Sequence, residues 1–300
     1  MLDEPVIDAG EAAWFDWLTW PAIVVASMAA TAALLPRLDA ALATVLVSAG
    51  VIGVVFALQR VRPQQRRGAR AAGFRGESVW GEVGHVLAGA EVGTILGYGA
   101  AVAIGEGVVR LYGGAAPWPD GGPLALHVLA GLLVADAASY WQHRAVHRWA
   151  WCWRFHALHH QPRRLDVVKA GRFHAVDFAT ATAAAYLPLA ALGAPPAVLA
   201  WVAIVNSVLG LLQHADVRMP TPSWLDALVC TPAAHWRHHG RERTDDGNFA
   251  TICMLVDRVF GTWVDTHGRR PRALGLVEDP LPGTWLGRIV APFVPRARTS

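Results

Sequence analysis

The sequence predicts an all-α fold: an integral membrane helical bundle of about four transmembrane helices plus an embedded hairpin, joined to a histidine-rich helical cap. Two observations support this prediction. Hydrophobic residues make up 54% of the 300 residues and charged residues only 16%, whereas soluble domains carry about 25% charged residues. In addition, ten of the thirteen histidines lie between His143 and His239, so the metal-binding side chains are concentrated in one part of the chain.

The first two helices are predicted from apolar runs at residues 21–35 and 40–58, which a short turn separates. About 20 apolar residues are needed to cross the hydrocarbon of a bilayer. The first run reaches this length when Trp14 and Trp17 are included as interfacial anchors. We therefore predict a transmembrane hairpin; the alternative is a pair of buried helices in a soluble protein.

Two more spanning helices are predicted at residues 83–111 and 124–147, around a turn rich in glycine and proline. Residues 178–192 and 196–212 form another apolar pair, but each is short for a full span. This pair is interpreted either as an embedded re-entrant hairpin or as two complete spans.

The distribution of arginine predicts the orientation. Arginines are concentrated at residues 60–77 and after His143, whereas the turns at residues 36–39 and 112–123 carry almost none. The positive-inside rule then places the arginine-rich regions and the N-terminus in the cytoplasm. The N-terminus is acidic, unlike a cleavable signal peptide. The orientation predicts a site that faces the cytoplasm. The abundance of alanine and arginine predicts a bacterial protein, and hence an inner-membrane location.

Several classes of protein are disfavoured. The arginines after residue 60 directly follow an apolar run, which indicates a membrane flank rather than a nucleic-acid surface. The three cysteines form no CxxC pair, so neither a disulfide framework nor a zinc ribbon is expected. The HExxH motif of zinc proteases and the CxxCH motif of covalent haem are absent from the sequence.

Eight histidines form three clusters with helical spacing. They are an HxxxH and two HxxHH motifs: His143 and His147; His156, His159 and His160; His235, His238 and His239. Residues three and four apart share a helix face, so each cluster can direct several imidazoles to one point. Neutral imidazole binds iron, zinc, copper and nickel, and eight imidazoles are too many for one ion. The clusters therefore predict a site for two metal ions.

The motifs around these clusters resemble the sterol desaturase/fatty acid hydroxylase superfamily of membrane di-iron enzymes. Asp136, Tyr140 and HRAVH resemble its D…Y…HRxxH pattern, and WRFHALHH resembles WRxHxxHH. RFHAVD resembles RxHPxE, with Ala175 and Asp177 in place of proline and glutamate. TPAAHWRHH, NFA and VDRVFGT resemble TPxxHxxHH, NYG and WDRLFGT, with Ala250 for glycine and Val256 for tryptophan. The resemblance covers roughly residues 125–265.

The resemblance implies two iron ions held by the eight clustered histidines and by His214 as a ninth ligand, with zinc as the alternative metal in a purified or crystallised form. His174 is implied either as a ligand or as a residue that orients one. Asp136, Asp177 and Asp257 are expected to accept N–H bonds from ligand imidazoles, the alternatives being helix caps or arginine partners. No catalytic residue beyond the metal ligands is expected.

The resemblance also divides the chain into a transmembrane region at residues 1–122, a catalytic domain at 123–265 and a basic tail at 266–300. The implied activity is oxygen-dependent hydroxylation or desaturation of an aliphatic position in a lipid from the bilayer. A ferredoxin or a cytochrome b5-like protein with its reductase would supply electrons, docking on arginines at residues 60–75 and 237–243. Two other classes remain open: a membrane zinc-dependent hydrolase and a histidine-rich metal transporter.

Overall fold

The computed structural model describes residues 12–65, 79–114, 116–266, 271–278 and 281–294, and the regular structure of these residues is helical. Five helices are long and apolar enough to cross a membrane: α1 (Trp14–Leu34), α2 (Ala40–Val61), a continuous helix over Trp80–Leu111, α5 (Leu124–Arg148) and α8 (Pro196–His214). The predicted all-helical membrane bundle is therefore confirmed. The embedded pair is unequal, because α8 reaches spanning length whereas its partner α7 (Ala175–Ala191) is shorter.

The third spanning helix is not uniform along its length. It begins as α3 (Val79–His85), widens into a π-helical segment (Val86–Glu91) and continues as α4 (Val92–Leu111). π-Helical segments inside α-helices are rare and often occur near functional sites. This one faces the loop before α7: a Cβ atom on Gly89 would lie 1.9 Å from the Phe173 carbonyl oxygen.

Helices α4 and α7 pack along a seam of small residues. A Cβ atom on Gly97 would lie 2.3 Å from the Ala179 carbonyl oxygen, and one on Gly105 would lie 2.3 Å from the Ala190 Cβ. Glycine at these positions lets the two backbones approach each other. Small residues four apart are a common means of helix association in membranes, where apolar burial gives little driving force.

The other spans pack around a second core. Val47 and Val51 of α2 lie in one buried cluster with Val208 and Leu212 of α8, and α1 packs beside both helices. Helix α5 lies between α7 and α8. The start of α1 and the end of α2 are joined by an ion pair, in which the Arg62 Nη2 lies 2.7 Å from an oxygen of the buried Asp16 carboxylate. This pair places both helix ends on one face of the bundle.

The cap lies on this same face. It consists of α6 (Ala150–His160), a 3₁₀ turn (Val167–Gly171), α9 (Ser223–Asp226), α10 (Pro232–His238), α11 (Leu255–Val259) and α12 (Trp285–Val290). The division of the sequence at residue 265 stays a prediction. Beyond it, Leu274 and Leu276 are buried against the cap.

Candidate metal centre

Two groups of histidines meet where α5 and α8 end at the cap. The first consists of five side chains and the second of four, and within each group the ligand atoms all lie within 4.8 Å of one another. The first group is His143, His147, His156, His160 and His238; the second is His159, His214, His235 and His239. The structure thus brings together all nine histidines that the sequence analysis proposes as ligands.

Helical spacing explains how the clusters divide between the groups. Each HxxHH motif gives its first and last histidines to one group and its middle histidine to the other. In α6, His156 and His160 enter the first group and His159 the second; in α10, the roles are exchanged. Positions four apart differ by about 40° around a helix, whereas the position between them points about 100° away from its neighbour. One short helix can therefore serve two adjacent sites.

Hydrogen bonds orient the imidazoles of the first group. The Nδ1 atoms of His143 and His238 lie 2.7 Å and 2.8 Å from the carbonyl oxygens of Phe249 and Gly247. Since a carbonyl only accepts, each Nδ1 carries the hydrogen and each Nε2 of the neutral ring is left with a lone pair. His156 Nδ1 lies 2.9 Å from the Asp177 carboxylate, which fixes the same tautomer.

The spacing of the Nε2 atoms suits metal coordination. Nε2 of His214 lies 3.3 Å from that of His159 and 3.2 Å from that of His235, and the Nε2 atoms of His160 and His238 are 3.1 Å apart. Two nitrogens bound to one ion at about 2.1 Å lie about 3.0–3.4 Å apart. His214 donates its Nδ1 hydrogen to the Gly210 carbonyl at 2.8 Å, so its Nε2 carries a lone pair that a metal ion could bind.

Two nitrogen atoms of the first group further support a metal ion at this site. The Nε2 atoms of His147 and His156 are buried and have no hydrogen-bond partner among the described residues. A buried polar atom without a partner costs about 1–3 kcal/mol. A metal ion would give both atoms a partner, and the all-imidazole donor set is one that iron and zinc accept.

Burial favours the neutral form, which binds metal, in five imidazoles of the cap. It lowers the pKa of His238 to about 3, and it lowers the pKa values of His159, His160, His235 and His239 well below 6.5. Neighbouring imidazoles lower these four pKa values further, because one protonated ring would repel the next.

The loop that supplies the two carbonyl acceptors is itself held by buried side chains. Asn248 has a left-handed backbone (φ 57°), and its amide bonds the Ala234 carbonyl and both backbone groups of Val264. Asp257 accepts the N–H groups of Phe249 and Ala250, each at 2.8 Å. These bonds fix the backbone that orients His143 and His238.

The three predicted carboxylates therefore have different positions. Asp177 contacts a ligand imidazole, whereas Asp257 acts one step away, through Phe249. Asp136 touches none of the nine histidines in its hydrogen bonds; it accepts the N–H groups of residues 251–253 at 2.7–2.9 Å. Neither Asp136 nor Asp257 is a helix cap, and both instead anchor the loop that follows Asn248.

His174 lies outside both groups. Its Nδ1 accepts the Val176 N–H at 3.1 Å, capping α7, and its Nε2 lies 3.1 Å from the Ile289 carbonyl oxygen. One neutral tautomer satisfies both contacts, which leaves no nitrogen for a metal ion. His174 is therefore placed neither to coordinate a metal ion nor to hydrogen-bond a histidine of either group; its bonds join Ile289 to the first turn of α7.

Sequence reasoning missed the backbone acceptors. The carbonyl groups of Gly210, Gly247 and Phe249 orient three imidazoles, but no side-chain pattern marks a carbonyl. The NFA segment was the available signal, because an asparagine tolerates the left-handed conformation that this loop requires.

Two adjacent, buried groups of histidines at the end of a membrane helical bundle define a class: a membrane protein with a histidine-rich centre suited to two metal ions. The family model described as fatty acid hydroxylase matches residues 128–262. The matched residues include all nine clustered histidines, so this part of the chain resembles the sterol desaturase/fatty acid hydroxylase superfamily.

Curated relatives agree with this resemblance. The chain is 35% identical to the ornithine lipid hydroxylase OlsE of Rhizobium tropici over 182 residues, which is 60% of this chain and 54% of that protein. It is 31% identical to alkylglycerol monooxygenase of Homo sapiens over 135 residues, covering 45% and 30% of the two chains. The chain thus spans about half or less of the length of these relatives. No solved structure matches it significantly.

Proposed function

We propose that the protein is a di-iron oxygenase that hydroxylates an aliphatic position of a membrane lipid, using dioxygen and electrons from a partner. The observation that carries this proposal is the pair of histidine groups at the bundle end, in a chain whose relatives include lipid hydroxylases and monooxygenases. Bound iron would supply the activation of dioxygen that attack on an unactivated C–H bond requires. Desaturation remains the alternative outcome for the same substrate position.

The chain contributes ligands, orientation and exclusion of water. The five-histidine group would hold one ion and the four-histidine group the other. The hydrogen-bonded Nδ1 atoms of His143, His214 and His238 keep the Nε2 atoms of these three rings aimed inward. Burial of the site limits access of bulk water. No side chain is assigned to proton transfer, in keeping with the expectation of no catalytic residue beyond the ligands.

The position of the site distinguishes the proposal from its rivals. A metal transporter needs ligands along a path through the bilayer, whereas His147 and His214 lie at the last turns of α5 and α8. A zinc hydrolase needs a carboxylate base beside the ion. Both groups among the described residues consist of histidine alone. Two carboxylates lie beside them: Asp177 is bonded to His156, and Asp246, 3.7 Å from the His147 Nδ1, is paired with Arg148.

The proposed substrate is a lipid whose chain lies in the bilayer and whose polar headgroup lies at the surface. An ornithine lipid and an alkylglycerol are the first candidates to test, since relatives are named for these compounds. We place the protein in the bacterial inner membrane with the cap in the cytoplasm, on the distribution of arginine described above.

An acidic ferredoxin or cytochrome b5-like protein is proposed as electron donor. Of the arginines considered for its docking, those at residues 66–75 lie outside the described residues. Arg237 is mostly buried and paired with Asp245 at 2.8 Å, so it stabilises the cap rather than meeting a partner. Arg243 is exposed and remains available.

Lipid analysis of cells expressing the protein tests the proposal. Wild type should add the mass of one oxygen to one lipid class, or remove two hydrogens, only when dioxygen is present, and the purified protein should hold two irons per chain. His238→Ala should abolish the product. His127→Asn is the matched control, because His127 bonds Trp118 in the turn before α5, at the other end of that helix. Turnover without dioxygen, with zinc as the metal, would favour a hydrolase instead.

A further inference from the structure

The segment at residues 285–294 exposes apolar side chains and buries its charged one. Its exposed large side chains are all apolar: Leu286 (64% exposed), Val290 (45%), Phe293 (62%) and Val294 (51%). Its charged residue, Arg288, is buried, with 4% of its surface exposed. A helix at an aqueous surface has the opposite arrangement, with apolar residues inside and charges outside. The segment is therefore not arranged like a helix whose outer face meets water alone.

The segment also packs against the beginning of a membrane-spanning helix. Trp285 packs against the first turns of the third spanning helix, where a Cβ atom on Gly84 would lie 2.9 Å from the indole Nε1. Trp80, one turn earlier on that helix, is 81% exposed. Tryptophan is enriched at the level of lipid headgroups. The segment therefore begins beside a spanning helix at the level of an exposed tryptophan.

The segment is fixed to the elements that carry the metal centre. The His174 imidazole links Ile289 to the first turn of α7, as described above, and Arg154 of α6 donates to the Pro292 carbonyl at 3.3 Å. Phe293 packs edge-on against Phe155, with ring centroids 5.4 Å apart. His156 follows Phe155 directly, so only one residue separates this segment from a ligand.

We infer that residues 285–294 form an interfacial segment whose apolar face enters the lipid headgroup region beside the metal centre, and that His174 clasps it to α7. Short amphipathic segments lie in the interface in this way when their apolar face meets acyl chains. The inference concerns the position of this segment in the bilayer and holds whatever reaction the centre performs.

Spin labels in the full-length protein in lipid nanodiscs test this position. Val290→Cys and Phe293→Cys would each be labelled after Cys152 and Cys253 are replaced by serine; Cys230 is buried. Leu96→Cys, on the exposed face of α4, is the control for lipid, and Thr244→Cys, in an exposed polar loop, is the control for water.

Labels on the segment should be relaxed more by oxygen, which concentrates in lipid, than by a water-soluble nickel complex, as at position 96. Relaxation like that at position 244 would overturn the inference, and so would dipolar broadening that reveals a second copy on this face. Adding His174→Ala to Val290→Cys should make the label more mobile. An unchanged spectrum would refute the role of His174 while leaving the depth measurement intact.

Discussion

The contact between Asp177 and His156 gives a quantitative test of how the metal centre is supported. The His156 Nδ1 donates to the carboxylate at 2.9 Å, and both side chains are almost completely buried. Asp177→Asn keeps the shape and one oxygen acceptor but removes the charge. A hydrogen bond to a charged group contributes about 1.5–3 kcal/mol, and loss of such a partner of a ligand typically weakens metal binding about 10–100-fold.

We therefore expect Asp177→Asn to weaken one of the two ions about 10–100-fold, equivalent to about 1.4–2.8 kcal/mol. The affected ion is the one in the five-histidine group, which contains His156; the ion in the four-histidine group should keep its affinity. Asp177→Glu should restore part of the loss, because it returns the carboxylate at the cost of one methylene.

The assay is anaerobic titration with ferrous iron against a chromophoric chelator, which separates two affinities per chain. Asp39→Asn is the matched control: it removes a carboxylate from the exposed N-cap of α2, far from the histidines in sequence and packing. Asp177 also lies in the first turn of α7, so its charge contributes about 0.3–1 kcal/mol to that helix. Thermal unfolding of the metal-free variants measures this separate effect. Wild-type affinity for both ions, or equal weakening of both, would refute the reasoning.

Two further predictions concern packing and backbone strain. Gly97→Leu should lower the free energy of unfolding in detergent by about 1–3 kcal/mol, because its Cβ would lie 2.3 Å from the Ala179 carbonyl oxygen. Gly99→Leu is the control and should change this free energy little, because no atom of the described residues lies within 4 Å of its Cβ. Equal effects of the two substitutions would contradict the proposed seam. Asn248→Ala should destabilise the metal-bound protein by about 1–2 kcal/mol more than Asn248→Gly in thermal unfolding, since glycine adopts a φ of 57° without the strain that alanine incurs. An alanine variant as stable as the glycine variant would show that the loop relaxes without this conformation.

Local patterns in the sequence were sufficient for the membrane helices and for the nine histidines that the fold brings together. The run at residues 40–58 became α2 almost unchanged, and the run at residues 124–147 became α5. The spacing within the two HxxHH motifs also predicts which imidazoles could share an ion, because residues three and four apart lie on one face of a helix. Hydropathy and helical periodicity are properties of neighbouring residues, so a single sequence reveals them.

The tertiary structure decided what depends on contacts between distant residues. Asp136 and Asp177 look equivalent beside their histidines, yet only Asp177 meets an imidazole, because α7 packs against α6. His174 lies outside both histidine groups, and its two nitrogens are hydrogen-bonded to the first turn of α7 and to Ile289. The sequence by itself determined that nine imidazoles could bind metal and that the helices lie in a membrane. Only packing could decide how those imidazoles divide between two sites and which groups orient them, because distances between residues far apart in the chain are set by how the helices meet.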